Sequence, residues 1–246
     1  MTGPPEWRDT PLMNTLKNKG RIAGALYFAI AILTGGGFAL KTRIVNPADA
    51  AGTLARLVGD RASALGSVAA NLAGQTIFLF LGLALFDLFA AFDRKRARML
   101  LAIILASIPV SMLVQLGTVG ALLLAEAGQP AAVVTLCLRL FEYGDLMTFI
   151  FWGLWLFPLG YLIWKSRYLP RPIGLALMVG CLGYLIKALR GLFWPDHQDI
   201  AAVFLVETNI GEISCMLWML ILGARAGAKD GARADAKEGA VVPEEV

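Results

Sequence analysis

Six apolar runs separated by short polar gaps fill most of this 246-residue chain. Their approximate bounds are 22–40, 64–90, 99–125, 131–164, 173–193 and 200–222. A helix needs about 20 apolar residues to cross a hydrocarbon core roughly 30 Å thick. In that solvent every backbone N–H and C=O must be satisfied, which leaves helices or a closed barrel. The runs are too long for tilted barrel strands of about 10 residues. The expected fold class is therefore all-α: an integral membrane bundle of six transmembrane helices, with the lipid bilayer as its partner.

Composition agrees. The chain is 58% hydrophobic and 16% charged, against about half and a quarter in soluble domains. Six spans and their connections leave no room for a second folded unit, so residues 21–223 read as one transmembrane domain. The net charge of +4 is no nucleic-acid signature, because the basic residues follow the gaps between spans. Cys137, Cys181 and Cys215 lie in apolar surroundings without a C-x-x-C spacing, so they read as small packing residues.

The polar residues 1–20, with Pro4, Pro5 and Pro11, are expected to be a disordered cytoplasmic N-terminus. Met13 offers a second candidate start. The first apolar run, at 19 residues, exceeds a signal-peptide core of about 7–15, which argues for a retained span. Asn46-Pro47-Ala48-Asp49 reads as a helix start, with Asn46 as the cap and Pro47 at the first position. It predicts a short amphipathic helix in the first outer loop, lying on the membrane surface or packed on the spans. In the second run Ser63, Ser67, Asn71 and Gln75 recur every fourth residue beside Gly66, Ala70 and Gly74, a pattern for close helix approach. Pro109 predicts a kink in the third run, with Ser107 or Ser111 satisfying the carbonyl of Leu105. Gly128-Gln129-Pro130 marks a turn. The run 131–164 would be about 51 Å long as a helix. It is expected to protrude, tilt or break at Gly144. The tail 224–246 reads as disordered.

Charge sets the direction. The two termini and the second and fourth gaps hold 15 lysines and arginines, and the opposite side holds 7. The positive-inside rule then places both termini in the cytoplasm of a bacterial cell, the chain lying in its plasma membrane.

Three stretches carry a likeness to a known family. They are Arg21-Ile22-Ala23-Gly24-Ala25-Leu26-Tyr27, Asn46-Pro47-Ala48-Asp49-Ala50-Ala51, and Gly160-Tyr161-Leu162-Ile163-Trp164-Lys165-Ser166-Arg167-Tyr168-Leu169-Pro170-Arg171. With Gly183-Tyr184-Leu185, Glu212 and Trp218 before Gly223, they resemble the domain-of-unknown-function family numbered 4386. The resemblance covers about residues 20–223. It implies a bacterial six-span membrane protein and supplies no catalytic residue. Asp87 and Lys187 are atypical of it.

No nucleophile elbow, phosphate-binding loop or metal motif occurs, and the single histidine, His197, lies in a loop. No cofactor, metal site or catalytic residue is expected, and the balance leans away from an enzyme. A Ser67–Lys187 dyad would lack an oxyanion hole. What remains is a set of polar side chains within the apolar runs, each costly to bury in lipid. With the stated orientation, Asn71, Gln75 and Gln115 fall in the outer half. Arg139, Glu142 and Asp145 fall at or beyond the outer boundary. Lys187 and Arg190 approach that boundary from the fifth run, while Glu207, Asn209 and Glu212 descend from it in the sixth. At helical rise Lys187 and Glu207 share a depth of roughly 10 Å, which suggests a pair, and Glu212 lies near the midplane. Two readings stay open. In one, these groups glue helices together in a non-enzymatic membrane protein. In the other, they line an outward-facing cavity, with Glu212 as its floor, that binds or translocates a small molecule or protons. The small-residue stripes allow a homo-oligomer as well as internal packing.

Overall fold

The computed structural model describes residues 11–46, 49–194 and 199–225, with backbone alone for 11, 12 and 199–208. The described residues are almost wholly helical. The helices are α1 (Pro11–Ile44), α2 (Ala50–Gly59), α3 (Arg61–Val114), α4 (Leu116–Glu126), α5 (Ala131–Ser166), α6 (Arg171–Phe193) and α7 (Asp199–Leu222). Four helical segments among them are long and apolar enough to cross a membrane: Met13–Ile44, Arg61–Glu126, Ala131–Ser166 and Arg171–Phe193. The second is 66 residues long and does not run straight. Asp93 leaves helical geometry at φ −146°, ψ 90°. A Cβ on Gly82 would lie 3.0 Å from Ile104, though 22 residues of straight helix would separate them by about 33 Å. The segment therefore folds back at Asp93 as a helical hairpin. Asp93 starts the return helix by accepting a hydrogen bond from the Arg96 backbone N–H at 3.0 Å and pairing with its guanidinium. Counting α3 as two rods, with α4 prolonging the second, the described backbone holds six long rods in an all-α membrane protein.

Pairwise packing closes a ring. α1 lies against the first half of α3, that half against α5, α5 against α6, α6 against α7, and α7 against α1. Small residues set the closest approaches, as expected where lipid offers helices little hydrophobic drive to associate. A Cβ on Gly24 would fall 2.2 Å from the backbone N of Leu220, and one on Gly160 would fall 2.4 Å from the carbonyl of Gly174. On α3, Gly74 meets Thr34, and Ser67, Ala70 and Asn71 surround Gly37 of α1, so the four-residue stripe is a helix contact.

Several expectations need correction. The first helix begins at Pro11 rather than beyond residue 20, and Leu16 is buried against the core. It starts early because Gly20 and Lys17 pack on Gly223 at the end of α7, which gives the segment a tertiary partner. The short helix starts at Ala50 and is capped by Asp49, not Asn46: Asp49 Oδ1 accepts from the Gly52 N–H at 2.8 Å. Its buried Leu57 packs with Ile44, Leu122 and Val134, so its apolar face is docked on neighbouring helices. The helix continues through Pro109 and is interrupted at Gln115. Ser107 Oγ donates to the Ile104 carbonyl rather than to Leu105. α5 runs unbroken through Gly144, where the missing side chain admits Val114. The turn at Gly128 (φ 67°) is present. Residues 1–10 and 226–246, with the expected disorder there, lie outside the described residues.

The turn between α5 and α6 belongs to the core despite its charge. Arg167 closes α5 in the left-handed conformation, φ 62°. Tyr168 and Leu169 then fold inward, almost fully buried, and Tyr168 stacks on Phe89 with ring centroids 5.6 Å apart.

Candidate functional site

The closed ring leaves a cavity of about 320 Å³ between its members. Every helix of the ring contributes: Tyr27 and Thr34 from α1, Gln75 and Phe78 from α3, Trp152 and Trp155 from α5, Tyr184 from α6, and Asn209 and Glu212 from α7. Such a volume suits a small molecule rather than one water, whose share of liquid volume is about 30 Å³. Ala31, Gly35, Asn209 and Ile213 are exposed parts of the lining. They place its mouth between α1 and α7, where Gly35 has no neighbour within 4 Å of a would-be Cβ.

Glu212 sits about 16 Å along α7 from Gly223 at helical rise. Its Oε2 accepts a hydrogen bond from the Tyr27 hydroxyl at 2.7 Å. Tyr184 interacts with the same carboxylate, yet Oε1 is buried without a hydrogen-bond partner of proper geometry. Across the cavity Gln75 is 5% exposed, and its Oε1 is also buried and unpartnered. An unfilled buried acceptor costs about 1–3 kcal/mol. Two lining one cavity are therefore a chemical signature of the space between them.

Aromatic rings fix the rest of the wall. Trp155 makes edge contacts with Tyr27 (5.7 Å) and Phe78 (5.2 Å). Trp152 meets Tyr184 edge-on at 6.3 Å, and Phe149 stacks on Tyr184 at 5.8 Å. Each ring is held by another ring, so the lining is pre-formed.

A second polar group lies beyond this wall. Phe141, Asp145 and Phe149 share one face of α5 at four-residue spacing. Lys41 of α1 rests on the Phe141 ring at 3.2 Å, and Lys187 of α6 rests on the Phe149 ring at 3.7 Å. Asp145 interacts electrostatically with both lysines, and Glu142 with Lys41. The described carboxylate facing Lys187 is thus Asp145. Glu207, the partner suggested by depth, has its side chain outside the described residues. Arg190 interacts with Lys187 on α6.

Of the ten polar candidates, the cavity brings together Gln75 and Glu212. Glu142, Asp145, Lys187 and Arg190 form the neighbouring charged group. Asn71 turns away, donating from Nδ2 to the Ser67 carbonyl at 2.9 Å beside α1. Gln115 is buried at the α3–α4 break, reaching the Ser111 carbonyl at 3.5 Å. Arg139 is exposed on α5. Ser67 Oγ donates to the Ala64 carbonyl, while Lys187 lies on Phe149, so the two form no dyad. No group of three or more metal-ligating side chains occurs among the described residues. Attention to charge and amides in the sequence missed Tyr27, Tyr184, Trp152 and Lys41. Gly35, first of the Gly35-Gly36-Gly37 run and bare at the cavity mouth, was the available signal.

Comparison with known proteins adds the family and no activity. An uncharacterized protein of Archaeoglobus fulgidus (strain ATCC 49558 / DSM 4304 / JCM 9628 / NBRC 100126 / VC-16) is 31% identical over 77 residues, covering 31% of this chain. The matched stretch is 44% of that relative's length. No solved structure matches the chain. The family model extends across the whole helical ring, from residue 22 to residue 223, and the chain belongs to the family described as Domain of unknown function (DUF4386).

Proposed function

We propose that this protein is a non-enzymatic, multi-pass receptor or carrier that binds a small amine in the Glu212 cavity. One observation carries the reading: the two unfilled groups on the cavity wall, Gln75 Oε1 and Glu212 Oε1, are both acceptors. Their complement is a ligand rich in N–H donors. Five aromatic residues, Tyr27, Phe78, Trp152, Trp155 and Tyr184, surround them, and aromatic faces attract organic cations by their quadrupoles. Among the described residues no lysine or arginine lines the cavity, and Glu212 is its one ionisable carboxylate. The neighbouring Lys41 and Lys187 are offset by Glu142 and Asp145.

Orientation belongs to the same proposal. The excess of lysine and arginine at the termini and at the 93–98 and 165–171 connections supports a cytoplasmic placement for both termini, in a bacterial plasma membrane. α2 and the cavity mouth would then lie toward the outer side.

The test is a titration of the full-length protein in detergent micelles with primary, secondary and tertiary alkylamines, using size-matched alcohols and carboxylates as controls. Intrinsic tryptophan fluorescence reads occupancy, because Trp152 and Trp155 form the wall. Amines should bind in preference to the controls, and Glu212→Gln should weaken binding at least tenfold, about 1.4 kcal/mol. Equal response to all three ligand classes, or an unchanged Glu212→Gln variant, rejects the reading. Translocation requires more than binding. Amine or proton flux in sealed vesicles, abolished by the same substitution, would separate a carrier from a receptor.

A further inference from the structure

At the end of the ring remote from α2 lies a second cavity, of about 360 Å³. Its chemistry is the reverse of the first. Three arginines line it, Arg167, Arg171 and Arg225, and no carboxylate does among the described residues. Trp218 completes the wall, and its indole Nε1 is a buried donor without a hydrogen-bond partner. The one buried, unpartnered side-chain polar atom among its described residues is thus a donor. The arginines are exposed, but the backbone that carries two of them is held and two of their side chains pack on rings. Arg167 is fixed by its left-handed turn, and the Arg225 backbone N–H donates to the Tyr168 carbonyl at 3.0 Å. Arg171 packs on the Trp164 ring at 5.3 Å and Arg225 on the Trp218 ring at 5.2 Å. The cavity sits at the N-terminus of the 23-residue α6, whose dipole adds positive potential.

We propose that this cavity is a binding site for a phosphate ester. Guanidinium forks match phosphate oxygens bidentately, which a lysine cannot do. The indole N–H supplies a further donor. Basic pockets between transmembrane helices hold the phosphate of anionic lipid headgroups, and Trp164 and Trp218 are the residue type that favours the headgroup level. A soluble phosphate would use the same donors, and the experiment separates the two sources.

Full-length protein in neutral detergent is titrated with short-chain phosphatidylglycerol, short-chain phosphatidylcholine or inorganic phosphate, and thermal unfolding is followed. Phosphatidylglycerol should raise the melting temperature, with phosphatidylcholine having little effect. Arg171→Gln and Arg225→Gln should each weaken the response about tenfold. Trp218→Phe keeps the ring and removes the donor. It should weaken the response severalfold while leaving the melting temperature without ligand nearly unchanged. Arg94→Gln, on another connection, should change nothing. An equal response to inorganic phosphate at the same concentration supports the site and assigns it to soluble phosphates. A response to no phosphate source overturns the proposal, as does one that persists in all three cavity variants.

Discussion

Single side chains in this protein do sharply different work according to what surrounds their polar atoms. The Tyr27 hydroxyl fills one oxygen of Glu212, so Tyr27→Phe strips a buried carboxylate of its donor. That should destabilise the fold by about 1–3 kcal/mol, measured by chemical unfolding in micelles. Glu212→Gln removes the charge and should cost less stability than it costs binding. Asp49 works at the surface. It accepts the Gly52 N–H and pairs with Arg56 at 3.3 Å. Asp49→Ala should lower stability by about 1 kcal/mol, the usual worth of a helix cap, and loosen hydrogen-exchange protection in α2 first. Asp60 caps α3 in the same way. Hydrogen bonds from Ser63 hold its exposed carboxyl below the ordinary carboxylate value. A depressed folded-state value contributes stability above the unfolded value and loses it as pH falls through the folded one. The difference in melting temperature between wild type and Asp60→Asn should therefore be constant above about pH 5 and shrink below about pH 4. A difference that grows on acidification would contradict this.

The helices are kept together by backbones that nearly touch. Gly160 and Gly174 are mutually close, so each Cβ would strike the other's carbonyl oxygen, at 2.4 and 2.6 Å. Gly160→Leu should force α5 and α6 apart and cost about 1–3 kcal/mol. Gly35→Ala is the contrasting case, since nothing lies near its would-be Cβ. It should leave stability unchanged or raise it by up to about 1 kcal/mol through helix propensity. Comparing the two melting temperatures checks whether proximity, rather than glycine itself, is what matters. The hairpin in α3 follows similar logic. Asp93 could have continued a helix, but its carboxylate takes up the Arg96 N–H instead. The side-chain oxygen thereby competes with the backbone carbonyl, as short acidic residues do at helix starts.

At the scale of the whole molecule, the two ends of the bundle differ in chemistry. One end carries the arginine cavity, and the opposite half carries the Glu212 cavity and the Lys41–Asp145–Lys187 group. The proposed orientation is open to labelling of intact cells with a membrane-impermeant thiol reagent, in a background free of native cysteines. Gly59→Cys should react and Lys95→Cys should not until the membrane is opened; the reverse pattern would invert the topology. The membrane class of the chain was legible in its sequence because the bilayer is one uniform solvent and hydropathy adds along the chain. Gln75 and Glu212 were legible as candidates for a related reason: burying an amide or a carboxylate in apolar surroundings is costly wherever it occurs. Their convergence, the cage of Tyr27, Trp152, Trp155 and Tyr184, and the placing of Asp145 against Lys187 were decided by tertiary structure alone. Those depend on how each helix is rotated about its axis and which neighbour it meets. That is settled by close contacts such as Gly24 on Leu220 and Gly160 on Gly174, made between residues far apart in the chain.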